Sequence, residues 1–459
     1  MKVMKFGGSS VKDAEMIRKV ADVVINESLN TDTAVVLSAM KGITDALIEA
    51  TLKAEKGDPE YKNIIETILN RQKVAIEKLI PDTEGEETFS EMQKMTQELT
   101  GVLHGIELVR ECSPRSHDLV VSFGERFSCR LFADYLRFRG TKAEVIDARQ
   151  MIRTDDSHMN AGVFFEETYK LIQEKISRIK AIPVITGFIA STENGVTTTL
   201  GRNGSDYTAS LVGAAIGSEV IEIWTDVDGV LSADPRTVKN AFVIPEISIQ
   251  EAMELSYFGA EVIHPYTMIP AVEKNIPIRI KNTLNPQIPG TIIAKQVKRH
   301  NREITGIASI DKAALINIEG GGMIGIPGIA SRVFNALGTA KVNIIMISQA
   351  SSEHSICVVV REKEAAQALA GLKRELKEEM RSRRIQNLDL KKDLEIIAII
   401  GENMRGTPGI SGKLFSALGE NGINVLAIAQ GSSELNISFV IEEKDREKAL
   451  NVVHEAFLG

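Results

Sequence analysis

The chain has 459 residues, of which 43% are hydrophobic and 25% charged; this is an ordinary globular composition with room for about two to four domains. A formal net charge of −8 excludes a global basic field that would recruit nucleic acid or an anionic membrane, so a small anionic substrate needs a locally basic pocket. Cys112, Cys129 and Cys357 are odd in number, scattered and without C-x-x-C spacing, which argues against a disulfide framework or a zinc site.

The first residues, Met1-Lys-Val-Met-Lys-Phe-Gly-Gly, lack the apolar run of a signal peptide. No window approaches the ~20 apolar residues of a membrane span. The expected location is cytoplasmic. From there to about residue 290 the chain alternates strand-like and helix-like segments, the pattern of a layered α/β domain. Apolar runs at 3–6, 34–37, 119–122, 182–185 and 220–224 read as buried strands. Periodic segments predict a helix over 14–26, with Asp13 placed to cap it, and another over 206–216. The charged, helix-favouring stretch 53–111 reads as a helical insertion, a solvated hairpin without chemistry. The charged connector 295–303 marks a domain boundary.

Four segments at expected strand ends carry functional residue types. Lys5-Phe-Gly-Gly-Ser-Ser follows the first strand and precedes a helix. Its glycines let the backbone approach a ligand, and amides at a helix start attract anions. The P-loop pattern G-x-x-x-x-G-K-[ST] is absent, as are the H-R-D and D-F-G motifs of protein kinases. Gly201-Arg-Asn-Gly-Ser-Asp follows the Thr-rich strand 197–200 and opens a helix. Arg202 is suited to a bidentate carboxylate, and Asp206 also reads as a helix cap. Ser122-Phe-Gly-Glu offers an acid for an ammonium group, and Trp224-Thr-Asp-Val-Asp-Gly ends a further strand. In an open α/β sheet, ligands bind beyond the carboxyl ends of the strands, so these segments point to one site.

The remainder repeats itself. Met323-Ile-Gly-Ile-Pro-Gly-Ile aligns with Met404-Arg-Gly-Thr-Pro-Gly-Ile, a shift of 81 residues that holds through Asn343/Asn424, Gln349/Gln430 and Ser352-Glu353/Ser433-Glu434. Each copy reads strand, Gly/Pro turn, helix, strand, polar turn, strand. A unit this small struggles to bury a core alone, so the copies are expected to pack together and against a second chain.

Together and in this order, Lys5-Phe-Gly-Gly-Ser-Ser, Ser122-Phe-Gly-Glu, Gly201-Arg-Asn-Gly-Ser-Asp-Tyr, Trp224-Thr-Asp-Val-Asp-Gly, Glu251-Ala-Met-Glu-Leu-Ser-Tyr-Phe-Gly-Ala and Ile280-Lys-Asn-Thr resemble aspartate kinases. The likeness continues through both C-terminal copies. It is nearest to threonine-sensitive monofunctional forms and to the kinase portion of bifunctional aspartokinase–homoserine dehydrogenases. No second catalytic domain follows Gly459, so dehydrogenase activity is not expected. The resemblance implies an α/β amino-acid-kinase fold over 1–294, an open and mainly parallel sheet sandwiched by helices. Two ACT domains of the ferredoxin-like βαββαβ type are expected at 304–385 and 386–459. The second is expected to be inserted within the first, with the chain end returning to complete it. The implied reaction is ATP-dependent phosphorylation of the L-aspartate β-carboxylate to 4-phospho-L-aspartate, the first step towards lysine, methionine and threonine.

The same resemblance implies residue roles. Lys5 stabilises the transferring phosphoryl group and Asp206 orients Lys5. Ser38 and Thr44, from Ser38-Ala-Met-Lys-Gly-Ile-Thr, bind aspartate together with Glu125, Arg202, Asn203, Gly204 and Ser205. Lys5, Gly7, Gly8, Ser9, Thr225, Asp226 and Arg236 face ATP, and Mg²⁺ arrives with it, no side chain being assigned as a metal ligand. Met323, Gly325, Asn343, Gln349, Asn424 and Gln430 line effector pockets, for threonine rather than lysine. A homodimer through the ACT domains is expected, with neither nucleic acid nor membrane as partner. The sequence departs from the family pattern at Ser9 (usually Thr), Leu231 (often Tyr), Glu261 (often Lys) and Tyr266 (often Arg), while His264 and Trp224 read as structural. Rival readings are another acid kinase of this fold and a catalytically silent amino-acid sensor.

Overall fold

The computed structural model describes all residues except 260–264, 298–301, 324–325 and 350–353. Two compact units divide the chain. The first comprises Met1–Val230, Pro245–Ile249 and Val262–Val297, and the second Leu231–Ile244, Gln250–Glu261 and Lys298–Gly459. Ahead of the expected boundary near residue 294 the chain already enters the second unit twice, at Leu231–Ile244 and Gln250–Glu261.

The first unit is built on β1 (Lys2–Phe6), β2 (Thr33–Leu37), β3 (Ala143–Ile146), β4 (Ile182–Thr186), β5 (Ile189–Ser191), β6 (Thr197–Thr199), β7 (Ile221–Thr225), β8 (Glu246–Ser248), β9 (Ile278–Asn282) and β10 (Thr291–Ala294). Eight of these form one sheet in the order β3-β4-β2-β1-β7-β9-β10-β8. Every pairing from β3 to β9 is parallel; β10 runs antiparallel to β9. Strands β2 and β4 are buried at all five positions, as expected where helices cover both faces of a parallel sheet. The strands β5 and β6 form a separate antiparallel hairpin.

The helix Ala14–Ser28 begins where the sequence predicts, with Asp13 accepting from Met16 N at 2.9 Å. The stretch read as a solvated hairpin is helical (Ile43–Lys56, Tyr61–Leu79, Thr83–Val109), but Tyr61, Leu99 and Leu103 are fully buried in the same core as Phe6 and Leu37. Its charges sit on the faces turned away from that core. The run 119–122 is not a strand. Ser113 caps a helix with Pro at its start, Pro114–Val121, and Ser122 in helical conformation (φ −60°) passes the chain directly into the helix Phe123–Phe138. A four-residue apolar run does not distinguish a buried helical stripe from a strand.

The second unit contains β11 (Gly306–Glu319), β12 (Ile344–Gln349), β13 (Ser355–Arg361), β14 (Asn387–Ile400), β15 (Ala427–Ala429) and β16 (Asn436–Glu442), in the sheet order β12-β13-β11-β14-β16-β15. The two copies fill separate cores with equivalent residues: Ile316, Met323, Ile329 and Leu337 in one, Ile397, Met404, Ile410 and Leu418 in the other.

The long strands β11 and β14 each bend once. Lys312 and Asp393, 81 residues apart, both take left-handed conformations (φ 49° and 55°), and the register between the strands shifts there. Beyond each bend the strand changes role. Ala313–Glu319 pairs with β13, while Gly306–Ile310 pairs with the half of β14 that also pairs with β16. The first copy is therefore contiguous, and the second takes its outer strand from ahead of the first. This reverses the expected nesting. The chain end, Arg446–Leu458, closes the second copy's own core through Leu450 and Val453.

Candidate active site

The carboxyl ends of β1, β2, β4 and β7 lie side by side, with Phe6 opposite Leu37 and Trp224, and Leu37 opposite Thr186. Lys5, next to last on β1, sends Nζ to within 2.6 Å of Asp206 Oδ1, and only 11% and 10% of the two side chains is exposed. Asp206 lies in the first turn of the helix Gly204–Ile216, where the helix dipole favours an anion. The ion pair joins the central strand to this helix start.

Past Phe6 the backbone turns through Gly7 and Gly8. A Cβ on Gly8 would stand 2.8 Å from Ala39 O, and one on Gly7 would stand 3.5 Å from Lys5 Nζ. Lys41 N donates to Gly8 O at 3.1 Å and Ser38 N to Phe6 O at 3.1 Å, so the turns after β1 and β2 hold each other. Ser9 is half-buried in this turn. The anchoring hydroxyl belongs to Ser10, which lies 2.8 Å from Thr283 Oγ1 and 3.4 Å from Trp224 O.

Glu125 enters from the helix Phe123–Phe138 and is 3% exposed. Its Oε1 accepts from Ala39 N at 3.1 Å, and Ser128, one turn on, donates to Ser38 O at 2.7 Å. Oε2 is buried and finds no hydrogen-bond donor among the described residues. Burial pushes this carboxyl up to about 8, against the opposing pull of the Ala39 N–H and the Lys5 charge. A cationic ligand group is what such a carboxyl lacks. Thr44 stands half-buried in the first turn of the helix Ile43–Lys56, just past the left-handed Gly42.

Arg202 and Asn203 are exposed at the tip of the turn between β6 and the helix Gly204–Ile216. Gly201 and Asn203 are both left-handed (φ 74° and 57°), and a Cβ on Gly201 would collide with Asn160. Gly204 packs on Phe188, and Ser205 packs on Gly187, whose N–H donates to Leu37 O at 2.9 Å. Ser205 and Asp206 thus approach the ends of β1 and β4 from the turn that carries Arg202.

At the end of β7, Thr225 donates to Asp226 Oδ1 at 3.2 Å, and its carbonyl accepts from Thr283 N at 2.8 Å. Lys281 Nζ lies 4.6 Å from the centre of the Trp224 ring, which stacks on Phe6 at 5.6 Å. Trp224 is a core residue, 1% exposed. Arg236 belongs to the second unit and grips Asp234 in bidentate fashion at 3.0 and 2.9 Å. Leu231 also lies in that unit, bridged to Val243. The Tyr266 ring packs against Tyr207 at 5.2 Å, and Glu261 and His264 lie outside the described residues.

The sequence reading passed over Asp118. It is fully buried and accepts from Thr199 Oγ1 at 2.7 Å and Met159 N at 3.0 Å, with His158 Nδ1 at 2.8 Å. Burial alone would raise its carboxyl, but His117, Thr199, Met159 and His158 together hold it below the usual range. The one signal for it in the sequence is a lone acid at the head of an apolar run, four residues ahead of Ser122.

In the second unit Met323 and its counterpart Met404 are buried in equivalent short turns, Gly321–Met323 and Glu402–Met404. Asn343, Asn424, Gln349 and Gln430 are all exposed, the glutamines at the ends of β12 and β15. Those two edges meet: Ser348 donates to Ile428 O at 3.0 Å. Gly325 lies outside the described residues.

A parallel sheet with an anion-ready rim, followed by duplicated βαββαβ units, defines the class: an amino acid kinase joined to ACT domains. Residues 1–282 match the amino acid kinase family, and residues 316–376 and 397–457 match the ACT domain, again 81 residues apart. The chain is 38% identical over 462 residues to the chloroplastic bifunctional aspartokinase/homoserine dehydrogenase 2 of Arabidopsis thaliana, covering 99% of this chain and 50% of that protein. It is 35% identical over 470 residues to chloroplastic aspartokinase 1 of Arabidopsis thaliana, covering 99% of this chain and 80% of that one. The chain belongs to the aspartokinase family. It spans about half the length of the bifunctional relatives it matches. Its fold superposes on E. coli aspartokinase III over all of both chains at 29% identity, with a TM-score of 0.79 to the complex with aspartate and ADP and 0.81 to the complex with lysine and aspartate. Among the described residues no helix is long and apolar enough to cross a membrane.

Proposed function

We propose that the chain transfers the γ-phosphoryl group of ATP to the β-carboxylate of L-aspartate, giving 4-phospho-L-aspartate and ADP. The observation that carries this reading is the pairing of opposites at one rim. Lys5 is held by Asp206 at 2.6 Å, and the buried Glu125, close enough to feel the Lys5 charge, keeps one oxygen without a donor among the described residues. The first suits a phosphoryl group and the second an α-ammonium group.

The chemistry asks little of the protein beyond position and charge. The β-carboxylate is already ionised near neutrality, so no base is required. Its oxygen forms a bond to the γ-phosphorus while the bridging bond to ADP breaks, and ADP leaves with the electron pair. Lys5 neutralises charge on the phosphoryl oxygens, and Asp206 keeps its ammonium group aimed at them. Arg202 takes a carboxylate of aspartate, Glu125 the ammonium group, and Ser38, Thr44, Asn203, Gly204 and Ser205 complete the aspartate side. Gly7, Gly8, Ser9, Thr225 and Asp226 border the nucleotide. Among the described residues no three His, Cys, Asp or Glu side chains converge as a metal cage, and Mg²⁺ held chiefly by ATP phosphates needs none. Bound there, the ion offsets phosphate charge.

Amino-acid control through the ACT units belongs to the same reading, with threonine as effector near Gln349 and Gln430. It also includes a dimer formed through these units. The equivalent edge residues Ile347 and Ile428, each 44% exposed, support that dimer. The product feeds the routes to lysine, methionine and threonine. The test is a hydroxamate assay for acyl phosphate made from aspartate and ATP, titrated separately with threonine and lysine. Formation of the aspartyl hydroxamate, suppressed by threonine, is expected. No hydroxamate from aspartate sinks the activity, and suppression by lysine alone sinks the effector assignment.

A further inference from the structure

Asp118 is an ionised side chain sealed from water, and three groups drawn from two separate segments hold it. Thr199 reaches it from β6, and His158 and the Met159 N–H from the loop 155–162. A buried charge with this many donors fixes all of them, because releasing any one leaves the carboxylate underpaired. The segments it fixes are not random parts of the fold. Thr199 is three residues ahead of Arg202, and its carbonyl accepts from Ala161 N at 2.9 Å. The same loop places Asn160 against Gly201, where only glycine fits. Both walls of the Arg202 turn are therefore tied to one carboxylate.

That carboxylate shares its support with Glu125. Ser122 joins the helices Pro114–Val121 and Phe123–Phe138, its N–H donating to Asp118 O at 3.1 Å and its carbonyl accepting from Arg126 N at 3.4 Å, with Asp118 four residues before it and Glu125 three after. The joined pair of helices presents Glu125 to the rim after β2 and anchors the turn that bears Arg202.

We infer that Asp118 is a positioning residue for substrate recognition, which sets the Arg202 turn at a fixed distance from Glu125 so that the two ends of an amino-acid substrate are gripped together. It touches no reacting atom and acts through Arg202. The inference rests on the proposed aspartate kinase activity and adds to it a residue with no contact to substrate.

The experiment is a double-mutant cycle on the whole chain, reading KM for aspartate and for ATP separately. Asp118→Asn is expected to raise KM for aspartate about tenfold, the size of one lost charge-assisted hydrogen bond, while KM for ATP shifts less than about twofold. In an Arg202→Ala background, Asp118→Asn adds nothing further to KM for aspartate, because the group it acts through is gone. Should Asp118→Asn fail to fold, Thr199→Val removes a single donor and is expected to show the same split and the same non-additivity. Equal rises in both KM values, or additive effects in the Arg202→Ala background, overturn the positioning role while leaving the activity in place. A parent enzyme that does not phosphorylate aspartate overturns both.

Discussion

Lys5 Nζ and Asp206 Oδ1 meet at 2.6 Å between the central strand of the sheet and the first turn of the helix Gly204–Ile216. Both side chains are about nine-tenths covered, so the lysine has one well-defined anionic partner when no phosphate is present. Lys5→Ala is expected to lower kcat by about 10²–10³-fold, the cost of losing one preorganised group that stabilises transition-state charge. Asp206→Asn keeps the cation but frees its head, and the loss is smaller. Steady-state acyl-phosphate formation measures both, and unchanged turnover in Lys5→Ala refutes the proposed role.

Glu125 gives a pH signature with a definite sign. Its carboxyl sits at about 8 in the folded chain against an ordinary 4.5, because burial penalises its charge. The folded state thus binds a proton that the unfolded state has released. The stability this contributes is complete below about 4.5 and is lost as pH rises towards about 8. Glu125→Gln, neutral at every pH, lacks that slope. Denaturant unfolding of parent and variant across this range reads it directly, and parallel curves would count against the assignment.

The same ionisation bears on substrate. An ammonium group is gripped by the carboxylate, not by the neutral acid, so KM for aspartate is expected to fall as pH rises from neutrality past about 8. In Glu125→Gln the KM is high and flat over that interval. A parent profile without this fall separates Glu125 from ammonium binding.

Gly8 has no room for a side chain, since a Cβ would press to 2.8 Å on a backbone oxygen, Ala39 O. Gly8→Ala forces the turns after β1 and β2 apart at a cost of about 1–3 kcal/mol. A lowered midpoint of unfolding together with a raised KM for ATP is the expected result. Unaltered values of both contradict the close approach.

Gln349 and Gln430 occupy equivalent exposed strand ends in the two copies. If each reads effector, either Gln→Ala change raises the threonine concentration for half-inhibition by about tenfold, the loss of roughly one hydrogen-bonded contact. Inhibition curves decide it, and a curve identical to the parent's in both variants removes these residues from the effector site.

Much of this arrangement was legible in the sequence because it rests on local rules. Asp13 capping the first helix, the Thr-rich strand ahead of Gly201, and the 81-residue repeat each follow from residues near one another in the chain. What escaped depends on contacts between distant segments. The run 119–122 has too few residues to declare its period, and the preceding Ser113-Pro114 start decides for helix. Ser10 outranks Ser9 as an anchor only because Thr283 arrives from 273 residues away. Asp118 has no motif; its partners come from β6 and from a loop about forty residues on.

The bends at Lys312 and Asp393 make the ACT pair a one-way loan within one polypeptide. Residues 306–310, ahead of the first copy, complete the sheet of the second, as an exchanged strand does between two chains of a domain-swapped dimer. The second copy is then not a severable part. Cutting the chain between the copies leaves the second without its outer strand and with a raw sheet edge exposed. On the proposed effector reading, a disturbance in the second copy's sheet reaches the first strand of the first copy through shared backbone.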